Sequence, residues 1–145
     1  MLRAQASIEY LTVFSLVFVI LIPTVYVFQD YSARSSKSIV DDQVRIIGND
    51  IVNAAETAYY MGQPSRLTLE ETMPRGIALI NITSDWSNNY NEIMFVMDDG
   101  RALSFFCSVN INASITQEDY SAGLKYVVVE TRNTSTQGYV YIDIR

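Results

Sequence analysis

The chain has 145 residues, a formal net charge of −6, no histidine and a single cysteine, Cys107. Its acidic balance argues against nucleic acid, whose phosphates call for Lys and Arg, and the missing histidine removes histidine-ligated metals and histidine acid–base chemistry. A lone cysteine excludes an internal disulfide. The absence of a glycine-rich phosphate loop, a zinc motif or a nucleophile elbow leaves no enzyme reading and implies no cofactor.

Met1 to Ala4 is a stub with one cation, Arg3. From Tyr10 to Phe28 nineteen residues follow without a formal charge, enough to cross a hydrocarbon core ~30 Å thick as a helix. The run exceeds the roughly 7–15 apolar residues of a cleaved secretory signal, and Val25 to Asp30 offers no small-residue cleavage site, so it reads as a retained anchor. Glu9 stands at its start. A carboxylate there either lies at headgroup level or is buried beside a cation, because a charge at the bilayer centre costs about 2.5–3.5 kcal/mol. Pro23 removes one amide donor and frees the carbonyl of Val19. It is either a simple kink or a place where the helix bends on leaving the bilayer.

Tyr31 to Tyr60 contains no proline and one glycine, Gly48. Val40, Val44, Ile47, Ile51, Ala55 and Ala58 recur in steps of three and four, a single helical stripe. Anchor and stripe therefore read as one helix from about Ala6 to Met61, roughly 80 Å long, ended by Gly62-Gln63-Pro64.

Beyond Leu67 the period becomes two. Expected strands are Leu67–Glu71, Ile77–Thr83, Glu92–Met97, Ala102–Ile115 (bent or split), Leu124–Thr131 and Tyr139–Ile144. Asp99-Gly100 marks a hairpin turn, and Asn133 to Gly138 reads as a polar loop. The expected fold is α+β: a long N-terminal helix, half membrane-spanning and half amphipathic, packed by a C-terminal antiparallel β-sheet head over residues 62–145. The Val40–Ala58 stripe is the only amphipathic helix available to cover that sheet. Cys107 shares a phase with Leu103, Phe105, Val109 and Ile111, which puts it on the buried face as a small hydrophobe.

The string Gln5-Ala6-Ser7-Ile8-Glu9-Tyr10-Leu11, with an apolar helix directly behind it, resembles the amino-terminal signature of archaeal type IV pilin-like proteins, which carry a class III signal peptide. The resemblance is specific over residues 3 to about 30. It implies that a membrane-embedded prepilin peptidase cuts between Ala4 and Gln5, so that residues 1–4 are a leader and 5–61 the mature helix. It implies that Gln5, Ser7, Glu9 and Tyr10 serve assembly. The new α-amino group of Gln5 would meet the Glu9 carboxylate of a neighbouring subunit and set the axial register of a filament. The implied partners are other pilin subunits, the peptidase, an assembly ATPase with its membrane platform, and lipid before assembly. The implied location is the cell membrane first and an extracellular surface filament afterwards.

Three Asn-X-Ser/Thr sequons begin at Asn81, Asn112 and Asn133, acceptors for N-glycosylation on an external head. Tyr139 and Tyr141 alternate with Val140, Ile142 and Ile144 and are expected to face outward, either toward a neighbour or as ordinary wet-face residues. Glu70-Glu71 and Asp98-Asp99 suggest cation ligands only weakly, since adjacent strand residues point to opposite faces and Asp98-Asp99-Gly100 is accounted for by the turn. The chain thus reads as a structural filament subunit supporting surface adhesion. The alternative is a membrane-anchored extracellular binding or accessory module that never polymerises.

Overall fold

The computed structural model describes residues 2–134 and 137–145, with side chains from Ile8 onward. One helix, α1 (Leu2–Met61), precedes seven strands: β1 (Arg66–Met73), β2 (Ile77–Asp85), β3 (Tyr90–Met97), β4 (Ala102–Phe106), β5 (Ile111–Ala113), β6 (Gly123–Asn133) and β7 (Gly138–Ile144). The chain divides into two compact units, Met1–Ile39 and Val40–Arg145. The helix continues through Pro23 and begins four residues before the expected Ala6.

The first unit is a helical segment whose side chains from Ile8 to Ile39 are all exposed. Three hydroxyls of its apolar stretch fold back onto the helix. Thr12, Ser15 and Thr24 each donate to the carbonyl four residues earlier, at 2.9, 2.8 and 2.7 Å, so none is left without an acceptor.

In the second unit the rest of α1 supplies one wall of the core. Val44, Ile47, Ile51, Ala55 and Ala58 of the stripe are buried, and Val40 is packed against their edge. Val52 and Ala54 widen the buried face. At the C-terminus Gly62 takes φ +78°, a left-handed conformation that glycine adopts without strain. Its amide donates to the Tyr59 carbonyl at 3.1 Å.

The strands form two sheets, which corrects the single antiparallel sheet expected from the sequence. One has the order β1-β6-β7-β5 and the other β2-β3-β4. All pairings are antiparallel except β5–β7, which is parallel, with Ile111 opposite Val140 and Ala113 opposite Ile142. The physical reason lies in the apolar run Ala102–Ile115, which breaks between β4 and β5. The Cys107 amide donates to the Asn91 carbonyl of β3 at 3.0 Å, while the Asn110 carbonyl accepts from Val140 of β7 at 2.8 Å. Four residues therefore carry the chain from one sheet to the other, with Cys107 and Val109 pointing into the shared core. Asn133 is the last residue of β6, paired with Gly138 of β7, so the loop expected from Asn133 to Gly138 is shorter by both ends. The hairpin at Asp99-Gly100 forms, with Gly100 at φ +84° and its amide on the Met97 carbonyl at 2.9 Å.

The inner faces are lined by Ile77 and Ile80 of β2, Ile93, Phe95 and Met97 of β3, Val127 and Val129 of β6, and Val140, Ile142 and Ile144 of β7. Two polar ties fix the helix against them. Arg101, in the β3–β4 turn, pairs with Asp41 of α1 and with Asp99. Farther along, Glu56 accepts from the Ser108 amide at 3.1 Å and its hydroxyl at 2.8 Å. Between these ties lies Gly48. A Cβ placed there would come within 2.4 Å of the Phe105 ring, which is itself held edge-on against Phe95 with centroids 5.7 Å apart. Gly48 is the seat for that ring.

This contact sets two effects against each other. Alanine favours a helix interior over glycine by ~1 kcal/mol, whereas overfilling a packed core costs about 1–3 kcal/mol. The expected outcome is that Gly48→Ala lowers the thermal midpoint of the detergent-solubilised chain and that adding Phe105→Leu recovers part of the loss. A higher midpoint for Gly48→Ala would show that the ring yields.

Candidate functional site: the exposed apolar helix and the outer surface of the head

Among the described residues, α1 is the one helix long and apolar enough to cross a membrane. Its apolar side chains from Ile8 to Phe28 have no cover among the described residues. Phe14, Val17, Phe18 and Leu21 share one helix face and are each about half exposed, and Tyr10, Leu11, Val19 and Phe28 are more so. Tyr10, Phe14 and Phe18 form a column along one side, with centroids 6.2 and 5.3 Å apart. Around Pro23 a shallow apolar groove is bordered by Thr24, Val27, Phe28 and Tyr31. Arg34 and Asp30 pair at 3.0 Å just beyond it.

Of the signature residues, Glu9 and Tyr10 are exposed. The side chains of Ala4, Gln5 and Ser7 lie outside the described residues. Within the chain Glu9 faces no described cation at salt-bridge distance.

On the head, the sequon asparagines Asn81, Asn112 and Asn133 are all exposed, on β2, β5 and the end of β6. Asn81 and Thr83 lie side by side on one strand face, with Nδ2 donating to the threonine Oγ1 at 3.5 Å. Ser114 is exposed as well, while Ser135 of the third sequon lies outside the described residues. Tyr139 and Tyr141 are half-buried and engaged: Tyr139 packs on Trp86 with centroids 5.5 Å apart, and the Arg132 guanidinium sits 3.9 Å above the Tyr141 ring. Trp86 belongs to the β2–β3 turn. Its partnership with β7 joins residues distant in sequence, and no local pattern announces it.

Glu70 and Glu71 separate as strand geometry requires, whereas Asp98 and Asp99 are both exposed in the β3–β4 turn. Glu70 is exposed and Glu71 half-buried. Burial, and after it the nearby Asp50 carboxylate, push the Glu71 carboxyl above the usual range. Cys107 is buried, and burial pushes its thiol up, so it is an inert core residue rather than a nucleophile.

No family model, no curated protein and no solved structure matches this chain.

The Glu71 environment has a definite sign. The native state holds this proton more tightly than the unfolded chain, so the group's favourable contribution is complete below the unfolded carboxylate range and is lost as pH rises through the folded value. Glu71→Gln is therefore expected to raise the thermal midpoint at about pH 7 and to leave it unchanged at about pH 3.5, below the unfolded glutamate value of ~4.3. Melting curves at both values check this; equal gaps would show that the carboxyl is unperturbed.

Proposed function

We propose that this chain is a structural subunit of an archaeal type IV pilus-like surface filament, polymerising through α1 and displaying the β head outside the cell. The observation that carries the reading is the exposed, all-round apolar helix between Tyr10 and Phe28. Exposure of that extent is untenable in water and calls for either lipid or other apolar helices. The internally satisfied hydroxyls of Thr12, Ser15 and Thr24 suit both surroundings.

The resemblance at residues 5–11 supplies the rest of the mechanism. Cleavage before Gln5 by a prepilin peptidase releases a cationic amine, and Glu9 of one subunit pairs with that amine on the next. A carboxylate moving from the headgroup level into a helical bundle loses solvation, and a cation at hydrogen-bond distance offsets the loss. Subunits leave the membrane only where the pair forms, which makes register and assembly one event. An assembly ATPase and membrane platform drive the transfer, and adhesion follows from the displayed heads.

Glu9→Gln keeps the apolar helix and removes the charge. The expected phenotype is a protein found in membranes at wild-type level with no filaments in sheared fractions or by electron microscopy. Wild-type filament numbers from this variant would eliminate the Glu9 pairing. Absence of the chain from wild-type filaments would instead favour the tethered, non-polymerising module.

An external head is open to N-glycosylation. Asn81 is the best-presented acceptor, because acceptor amide and threonine hydroxyl share one exposed strand face. Intact-mass measurement of the native protein is expected to show loss of one glycan in Thr83→Ala. An unchanged mass in that variant would remove Asn81 as an occupied site.

A further inference from the structure

At the C-terminal end of α1, the opposite end of the second unit's helix from Val40, the head has a cleft of about 350 Å³. Tyr59, Gln63, Arg132, Asn133 and Tyr139 border it, and Gly138 forms its floor. This volume lies within the range of small-ligand sites. Its walls are held by contacts behind them. Ser65 ties the helix end to β6, donating through its hydroxyl to the Ala58 carbonyl at 2.6 Å and through its amide to the Thr131 hydroxyl at 3.1 Å. Gln63 Nε2 donates to the Thr131 carbonyl at 3.2 Å, which leaves its Oε1 as an acceptor. Trp86 backs Tyr139. Glu130, at 3.0 Å, and the Tyr141 ring steady Arg132.

The floor is bare because residue 138 is glycine. A Cβ there would stand 3.1 Å from Asn133 Oδ1 and 3.6 Å from the Tyr59 ring. Any other residue would project into the space between the asparagine and the tyrosine. Gly138 is not in a left-handed conformation, so its backbone gives no reason for glycine, whereas the open floor does.

We propose that this cleft binds a saccharide unit. Two tyrosine rings offer apolar faces for the C–H side of a pyranose, while the Asn133 amide, Gln63 Oε1 and the Arg132 N–H groups offer the planar donors and acceptors that hydroxyls pair with. The ligand is uncharged, because Arg132 already shares its charge with Glu130 and the protein around it is acidic. The sugar has two sources with the same chemistry: a free or surface glycan, or a glycan attached at Asn133 of the same protein, whose first residues would lie over the Tyr59 and Tyr139 rings. The inference does not depend on polymerisation, so its failure leaves the filament reading intact, and the reverse also holds.

The test uses the full chain in detergent, made without glycosylation, and saturation-transfer NMR with a panel of neutral mono- and oligosaccharides. Wild type is expected to bind at least one sugar. Gly138→Val, which fills the floor and crowds the Asn133 amide, and Tyr59→Ala are each expected to weaken binding about tenfold or more, with circular dichroism unchanged. Binding by unglycosylated chain that is also seen with native material identifies an outside ligand. Binding masked in native material and restored by Ser135→Ala, which abolishes the sequon and leaves Asn133 in place, identifies the chain's own glycan as occupant. If no sugar binds, or if Gly138→Val and Tyr59→Ala bind as wild type does, the proposal is overturned.

Discussion

A helix without a polar face has to be surrounded by something apolar, and nineteen residues of α1 meet that description while none of them is covered among the described residues. Everything else about the molecule follows from where that cover comes from. Lipid gives it without specificity, because hydrocarbon accepts any apolar surface. Packed helices give it with register, and register needs a polar mark. In the proposed filament Glu9, the acid at the start of the apolar stretch, would be that mark, since lipid headgroups would tolerate it and a bundle interior would not tolerate it alone.

The second unit solves a different problem with the same helix. Residues beyond Met61 form seven short strands in two sheets, and sheets of that size bury too little surface to stand without a partner. Residues 40–61 supply the missing layer. Small side chains let the helix approach closely: Ala55 and Ala58 are fully buried, and Gly48 accepts an aromatic ring. The charged ties at Asp41 and Glu56 then hold it in one axial position, since apolar contacts alone resist sliding weakly.

The helix and most strands were legible because their periods are strong. Steps of three and four from Val40 to Ala58 can only be one face of a helix, and alternation from Leu103 to Ile115 puts Cys107 on the inner side, where the fold has it. What was not legible depends on pairing between distant segments. Nothing local says that β5 leaves β4 to run parallel to β7, because a three-residue strand has the same alternation in either sheet. The cleft was hidden for the same reason: its residues come from 59–63, 131–133 and 138–139, and only the β6–β7 register brings Asn133 opposite Gly138. Gly48 was visible as the lone glycine of a helix, but its purpose needed Phe105. The sequons were plain in sequence, yet exposure of their asparagines had to come from the fold.

Within the second unit the helix from Val40 to Met61 carries the stripe that closes the core. Breaking its backbone hydrogen bonds would uncover that core, so this part of α1 has little freedom to change. Proline stands outside that part of the helix. Pro23 lies within the apolar segment, far from Val40, and its missing donor loosens the helix where no sheet contact is at stake. If the proposed exchange of lipid for other subunits takes place, Pro23 is where the helix would adjust while the packing of the head stays as it is.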